Sequence, residues 1–542
     1  MYIWDALYGK IEFDSLTIKC MMSPEVQRLR EVRLCNINSL CLTGGANVNR
    51  FEHSVGTAYL AIININSILQ RHIADEQEKQ NFVIAALLHD VANGPFGHSF
   101  EYIMEKTGFI PEKNMGQVFT DAVTVGTGTH NNNSPFETFY FGRLRELTSI
   151  LSKEQINEID SIISGTHFLS KLLSDKIDID NIDNVFRMAY HMGISFRKEA
   201  PVRLAEAMFI RDNRVQFMPE AKTYLQEWFV VRKKVYKFLL LNPQEFAGKY
   251  MLTEAMDISF ECIAQKKTKE TEIKWNYIDF QLMEEMNKIK EVWINRKTLL
   301  LEGVDKEELE CIQQLRNNDE KKKRLKTFVE SLELQTPIKE VGKTGESRKL
   351  DLSEHFSFEE IDSTIKIKNR NRNFYIENGC LYKEITVKYN PSQIVSRIMT
   401  GDLYYCVAIF ETLEIKHYND FLEYERRISI EDQLESRIRS IKGLSRINIG
   451  IHPILDVNKT ERQLSVRFAN DDYDTTIGEA PSRKLLLGLF IKNEPYGLRQ
   501  GKALSPETEK TILEITTKYF DSFFNSGVVL VPLYEEAKYG QQ

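Results

Sequence analysis

Leu87-Leu88-His89-Asp90-Val91-Ala92-Asn93-Gly94-Pro95-Phe96-Gly97-His98-Ser99-Phe100-Glu101 is the stretch on which the reading of this chain turns. The run Phe82–Leu88 before it is apolar for two helical turns, as in a buried helix. Gly94-Pro95 then breaks the helix, which puts His89 and Asp90 at its C-terminal end. A buried imidazole beside a buried carboxylate costs several kcal/mol, in order of magnitude, unless something pairs them. A divalent metal pairs both, since it accepts imidazole nitrogen and carboxylate oxygen together. The dipeptide alone reads equally well as a His and an Asp exposed where a helix meets its loop, so the metal reading needs further ligands.

The rest of the chain bounds the class. At 542 residues it has room for two or more domains with sizeable cores. No apolar run reaches the ~18 residues that span a bilayer, and Met1-Tyr2-Ile3-Trp4-Asp5 lacks the basic and apolar regions of a signal peptide. Seven cysteines without a C-x-x-C spacing argue against a disulfide framework and a structural zinc site. The expectation is a cytoplasmic protein with no membrane contact. A net charge of −7 does not suggest a general nucleic-acid binder, so a phosphorylated substrate needs a local basic pocket.

Ser23-Pro24-Glu25 reads as a helix start, with a Ser cap and Pro in the first turn. Gln27, Arg28, Arg30 and Arg33 follow, a basic run in an acidic protein. Arg50-Phe51-Glu52-His53-Ser54 opens a helix whose apolar residues recur at helical spacing to Leu69, so His53 sits at a helix N-terminus. Residues 105–135 lose periodicity, and the polar loop around His130 is of a length that is usually functional or disordered. Asp175–Asp183 opens another helix, with Ile182, Val185, Phe186 and Ala189 as its apolar face. There Asp180 and Asp183 share a side, and Arg187 is placed to pair with Asp183. Residues 200–335 read as mostly helical, and 336–372, charged and poor in periodicity, as a connecting segment. Beyond lies an α+β region with a hairpin at Asn378-Gly379 and a closing helix from about Ser505 to Phe524.

Taken in order, His53, His89, Asp90 and Asp180 form an H…HD…D series at helix ends. The series resembles the HD-domain metal phosphohydrolases, and more closely their dNTP triphosphohydrolase branch, which includes bacterial dGTPases. Asp5–Phe13 is similar to the branch's opening D-P-I-x-G-x-I segment, Gln27-Arg28-Leu29-Arg30 to its Q-R-L-R, and Arg50–Gly56 to its R-F-E-H-S-x-G. His89-Asp90, Gly94-Pro95-Phe96, His98 and Phe100-Glu101 follow its H-D-x-x-H-G-P-F-S-H-x-F motif. The clear likeness covers roughly residues 1–250, with a fainter trace from 390 onward. It implies a mostly α-helical HD-domain fold over 1–335, a connector over 336–372, and a smaller α+β C-terminal lobe over 373–542.

The chemistry of such a site follows. Two imidazoles and two carboxylates leave open positions on Mn, Fe or Zn, and Mg would accompany the nucleotide. His98 is the best placed acid for an alkoxide leaving group. Glu101 is three residues on and is placed to orient it. The resemblance implies the same roles for both residues and sets His130 against the phosphates. Arg50, with its fork of donors, is the leading phosphate clamp, and Asn93, Asp183, Arg232 and Tyr236 complete the substrate-side candidates. The resemblance further implies a nucleotide activator between subunits, bound partly by Gln27, Arg28 and Arg30, and a tetramer or hexamer. Met22 stands where the branch carries an Asp that reads guanine, which points to another activating dNTP.

This sequence departs from the pattern at Asn93, where the branch has His, and at Asn181, Asn184 and Met188, where it has Lys, Tyr and Asp. Sugar and base selectivity therefore do not carry over. The leading expectation is a metal-dependent, dGTPase-like dNTP triphosphohydrolase, regulated by nucleotide, with antiphage defence by dNTP depletion as its setting by analogy. A phosphohydrolase of monophosphates or short oligonucleotides, and a non-catalytic nucleotide sensor, are the alternatives.

Overall fold

The structure is a computed structural model. It describes residues 2–35, 48–70, 72–97, 99–100, 103, 145–268, 273, 276–300, 305–335, 356–361, 364–369, 372–377, 380–441, 444, 447–492 and 504–532. His98, Glu101 and His130 lie outside the described residues.

Helices dominate the first half. The hairpin β1 (Tyr2–Asp5) and β2 (Gly9–Glu12) opens the chain. Five helices then build the frame of the site: α1 (Arg50–Ile65), α2 (Glu76–Leu88), α3 (Ile179–His191), α4 (Lys222–Leu241) and α5 (Pro243–Ala264). Each of the first three begins on a side-chain cap: Asn49 accepts from the Glu52 amide, Asp75 forms a capping box with Glu78, and Asp178 accepts from the Asn181 amide. Such caps satisfy amides that the helix itself leaves unpaired, each stabilising by about 1 kcal/mol. In α2 every residue from Phe82 to Leu88 is buried. Burying each of its large side chains contributes about 1.5–3 kcal/mol, which fixes the helix end that carries His89.

Gly56 explains how closely α1 and α3 approach. A Cβ there would lie 2.1 Å from Arg187 Nη2 and 2.2 Å from Asp183 Oδ1.

The C-terminal half is α+β, as expected, but its boundaries differ from the sequence reading. Strand β5 (Val292–Leu299) falls in the stretch read as mostly helical, and β6 (Phe356–Ile361) and β7 (Thr364–Asn369) fall in the stretch read as a connector. With β8 (Arg372–Glu377) and β9 (Cys380–Tyr389) they form an antiparallel sheet of order β5-β9-β8-β7-β6. Only a few apolar residues alternate there among charges (Ile365, Ile367), and they pack on Leu309, Ile312, Leu325 and Val329 of the preceding helices. Lys321, which opens the lysine-rich run Lys321-Lys322-Lys323, is buried and pairs with Glu360 at 2.8 Å.

Strands β3 (Met208–Arg211) and β4 (Arg214–Phe217) continue the helical half, and β10 (Tyr405–Thr412), β11 (Ile449–Val457), β12 (Gln463–Phe468), β13 (Thr475–Gly478), β14 (Arg483–Ile491) and β15 (Val529–Val531) complete the lobe. One sheet has the order β11-β14-β10-β15 and another β13-β12-β4-β3. In the latter, β12 runs parallel to β4, joining Arg467 to Gln216 and Phe468 to Phe217. The lobe is thus stitched to the helical half, and one apolar core runs from Ile11 and Phe82 through Trp228 to Phe468 and Phe490. No helix among the described residues is long and apolar enough to cross a membrane.

Candidate metal-dependent active site

Three helix ends converge. The first turn of α1 supplies His53, the C-terminal cap of α2 is His89 with Asp90 beside it, and the first turn of α3 supplies Asp180. His53 Nε2 lies 2.9 Å from Asp180 Oδ1 and 3.9 Å from Asp90 Oδ2. His89 Nε2 lies 3.8 Å from Asp90 Oδ2 and 3.7 Å from Asp180 Oδ1. One ligating atom each from His53, His89 and Asp90 falls within 4.8 Å of the others, and Asp180 joins them through the two imidazoles.

The ring tautomers follow from what each Nδ1 meets. His53 Nδ1 donates to Asp183 Oδ2 at 2.7 Å, and His89 Nδ1 donates to the Ala86 carbonyl at 2.8 Å. Both Nε2 atoms then face the carboxylates, and His89 Nε2 is buried with no hydrogen-bond partner among the described residues. A ring nitrogen 2.9 Å from a carboxylate oxygen holds either a proton or a metal ion between them. A divalent ion fits: at metal–ligand bonds near 2.1 Å, neighbouring ligands on an octahedron stand roughly 3 Å apart and opposite ones roughly 4.2 Å. The observed separations, 2.9 to 3.9 Å, lie close to that range. Burial pushes the His53 pKa down, but Asp180 and Asp183 outweigh it and raise it to about 10. Burial raises the Asp90 carboxyl, yet Arg50 and the imidazoles hold it at about 2. The pocket is built for positive charge, which a metal supplies by displacing the proton.

A second layer holds the ligands. Arg50 Nη1 donates to Asp90 Oδ2 at 2.6 Å and Asn93 Nδ2 to Asp90 Oδ1 at 2.5 Å. Asp183 was read as a substrate-side residue, and the structure corrects this. It is fully buried beneath His53, and it accepts from Tyr8 Oη at 2.7 Å and from Arg187 Nε and Nη2 at 2.9 and 3.0 Å besides. Arg187 is itself held by Asp5 and Glu52. This Asp–His arrangement orients a ligating ring and raises its basicity. Sequence reasoning saw the Asp183–Arg187 pair but missed Asp5, Tyr8 and Glu52 as its support, although all three lie in the quoted motifs.

Arg28 also needs correcting. It was read as part of an activator site, but its guanidinium is spent on the carbonyls of Tyr277, Val91 and Asn93, which pins the turn after His89-Asp90. Gln27 and Arg30 remain at the surface side, hydrogen-bonded to each other at 2.8 Å, with Arg30 stacked 3.7 Å over Phe51. Asn181, where the pattern has Lys, turns its amide back onto Asp178. Arg232 and Tyr236 do meet: the guanidinium lies 4.4 Å from the ring.

Imidazoles and carboxylates gathered from three helix ends around an adjacent His-Asp pair define a class, and the comparisons agree with it: residues 50–125 match the HD domain model, so the chain carries an HD domain. Its relatives narrow the class. The chain is 24% identical over 263 residues to the deoxynucleoside triphosphate triphosphohydrolase SAMHD1 homolog of Dictyostelium discoideum, covering 46% of this chain and 48% of that one. It is 28% identical over 219 residues to the deoxynucleoside triphosphate triphosphohydrolase SAMHD1 of Danio rerio (35% and 33%). It is 24% identical over 244 residues to YwfO of Bacillus subtilis (45% and 52%). The chain spans about half the length of the first of these relatives, and less of others.

Proposed function

We propose that this protein is a metal-dependent hydrolase that converts a dNTP and water into a deoxynucleoside and triphosphate. The observation that carries the reading is the orphaned Nε2 of His89, aimed with His53 Nε2 at two aspartates. The names of the most informative relatives support the substrate class.

A divalent ion held by His53, His89, Asp90 and Asp180 would lower the pKa of a bound water and polarise a phosphoryl oxygen. Asp183 and the Ala86 carbonyl fix the two imidazoles as ligands, so no reorganisation is needed when substrate arrives. Arg50 neutralises Asp90 and, beside the metal ligands, is the candidate to clamp an α-phosphate. His98, nine residues past His89 in sequence, donates the proton that the departing alkoxide oxygen takes, with Glu101 orienting it and His130 meeting the phosphates. Tyr236, beside Arg232, stacks against the nucleoside. Mg accompanies the nucleotide.

Regulation belongs to the same proposal. Gln27 and Arg30 are left to meet an activating dNTP at a subunit boundary of a tetramer or hexamer, and dNTP depletion during phage attack is the setting. Hydrolysis of monophosphates or short oligonucleotides is the second reading, favoured by Asn181 and the buried Met188. Product analysis tests both: pure protein with Mn and each dNTP, singly and mixed, yields deoxynucleoside and triphosphate by chromatography under the first reading. Orthophosphate or monophosphate as the first product would sink it.

A further inference from the structure

The turn between β11 and β12 brings the C-terminal lobe against the candidate active site. Asp456 builds the turn by accepting from the Lys459 amide at 3.2 Å, the Thr460 amide at 3.0 Å and the Thr460 hydroxyl. Asn458 takes a left-handed backbone, φ 57°, which Asn tolerates better than most residues. Two bonds pin the turn to the helical half. Arg232 Nη1 of α4 donates to the Lys459 carbonyl at 2.5 Å, and Arg462 Nη2 donates to the Lys176 carbonyl at 2.8 Å, four residues before Asp180.

Arg232, Lys459 and Arg462 thus gather in one place, and Lys249 of α5 is near enough to Lys459 to be repelled by it. Among the described residues none of the four has a carboxylate within ion-pairing distance. By contrast, Lys492 and Arg397 elsewhere in the lobe are paired with Glu254 and Asp402. Arg232 is buried, and its Nε has no hydrogen-bond partner among the described residues. Burial depresses all four cations, Lys249 to about 7, and repulsion from a neighbouring cation adds to it for Arg232, Lys459 and Lys249, against attraction from Asp456 and, for Arg462, from Asp178. Arg462 reaches the carbonyl of Lys176, just ahead of the helix that carries Asp180, and Arg232 lies against the Tyr236 ring, so the cluster stands beside the metal-ligand set. Two carboxylates, Asp456 and Asp178, act on four cations from beyond ion-pairing distance and leave an excess of positive charge; such an excess destabilises a fold, and a polyanion is the ligand that removes the penalty. One phosphate needs one or two such donors; this many suit a polyphosphate chain.

We propose that Lys459, Arg462 and Lys249, together with Arg232, form the receptor for the polyphosphate end of the substrate, so that the C-terminal lobe completes the active site. The inference rests on the triphosphohydrolase reading for the reaction, but not for the binding of the anion.

Inorganic tripolyphosphate is the probe, titrated into the full metal-loaded protein by calorimetry. Lys459→Ala and Arg462→Ala should each bind it at least about tenfold more weakly at wild-type metal content, Lys459→Ala with a wild-type melting temperature as well. Lys459→Arg should restore most of the affinity, and Lys234→Ala, on the exposed side of α4, should change it less than twofold. In dNTP turnover, KM should rise with kcat nearly kept. If both alanine variants bind tripolyphosphate within twofold of wild type, the receptor is refuted, whatever the wild-type enzyme hydrolyses. If they lose it while wild type releases no triphosphate from any dNTP, the receptor stands and the triphosphohydrolase reading falls.

Discussion

Asp183→Asn is the most informative single change, because it keeps shape and removes charge. The Asp183 carboxylate uses every acceptor position: Oδ1 takes Tyr8 Oη and Arg187 Nη2, and Oδ2 takes His53 Nδ1 and Arg187 Nε. An amide replaces one of those oxygens by an NH2 that faces two donors. Burial raises the native carboxyl, but Arg187 and His53 hold it below its usual range, so it is charged when it meets them. Losing one side of a buried ion pair costs about 3–5 kcal/mol. Arg187 keeps Asp5 at 2.9 Å and Glu52 at 3.0 Å, so the lower end, about 3 kcal/mol, applies. His53 meanwhile loses the partner that fixes its tautomer, and such losses weaken metal binding about 10–100-fold. Chelator competition with metal analysis reads the second effect, and urea denaturation of the metal-free protein reads the first. A residue that touched substrate would instead raise KM at full metal content. Metal affinity within threefold of wild type, with unfolding shifted by less than about 0.5 kcal/mol, would refute the role given to Asp183; that bound is the range of an ordinary surface substitution.

The other predictions follow from neighbouring observations. Gly56→Ala drives a methyl into the buried Arg187–Asp183 pair, and we expect about 3–5 kcal/mol of destabilisation with a fall in metal occupancy, checked by denaturation and metal analysis. His98→Ala should keep the metal and lose about 10²–10⁴-fold in turnover, measured as kcat beside metal content. Lys249 has its ordinary value of 10.5 lowered to about 7, by burial first and then by Lys459. Between those values the unfolded chain holds a proton that the native one releases, so stability rises with pH from about 7 to 10.5. Lys249→Met should flatten that rise in denaturation midpoints taken at successive pH values, and an unchanged slope would contradict the burial of a charged amine there.

How much of this was legible in the sequence depends on the range of each interaction. The apolar run before His89, the cap at Ser23 and the opening of α3 are local signals, and each element formed where it was read. The four ligand candidates were legible because each sits at a helix end that local signals mark. Asp183 was not: its spacing to Arg187 gave the pair, but only the crossing of α1 over α3 at Gly56 puts it beneath His53. Arg28 misled because a basic residue on a short surface helix looks free until the turn it holds is known. Strands β6 and β7 hid among charges, since their buried face is only a few residues wide. The parallel pairing of β12 with β4 spans half the chain, so nothing local announced that Lys459 and Arg462 border the site.

The central claim is that water attacks the α-phosphorus and the deoxynucleoside leaves as an alcohol. Hydrolysis of a dNTP in ¹⁸O-enriched water with Mn, followed by mass spectrometry of both products, tests it most directly. The account predicts one heavy oxygen in the triphosphate and none in the deoxynucleoside; label in the deoxynucleoside, or in released orthophosphate, would contradict it.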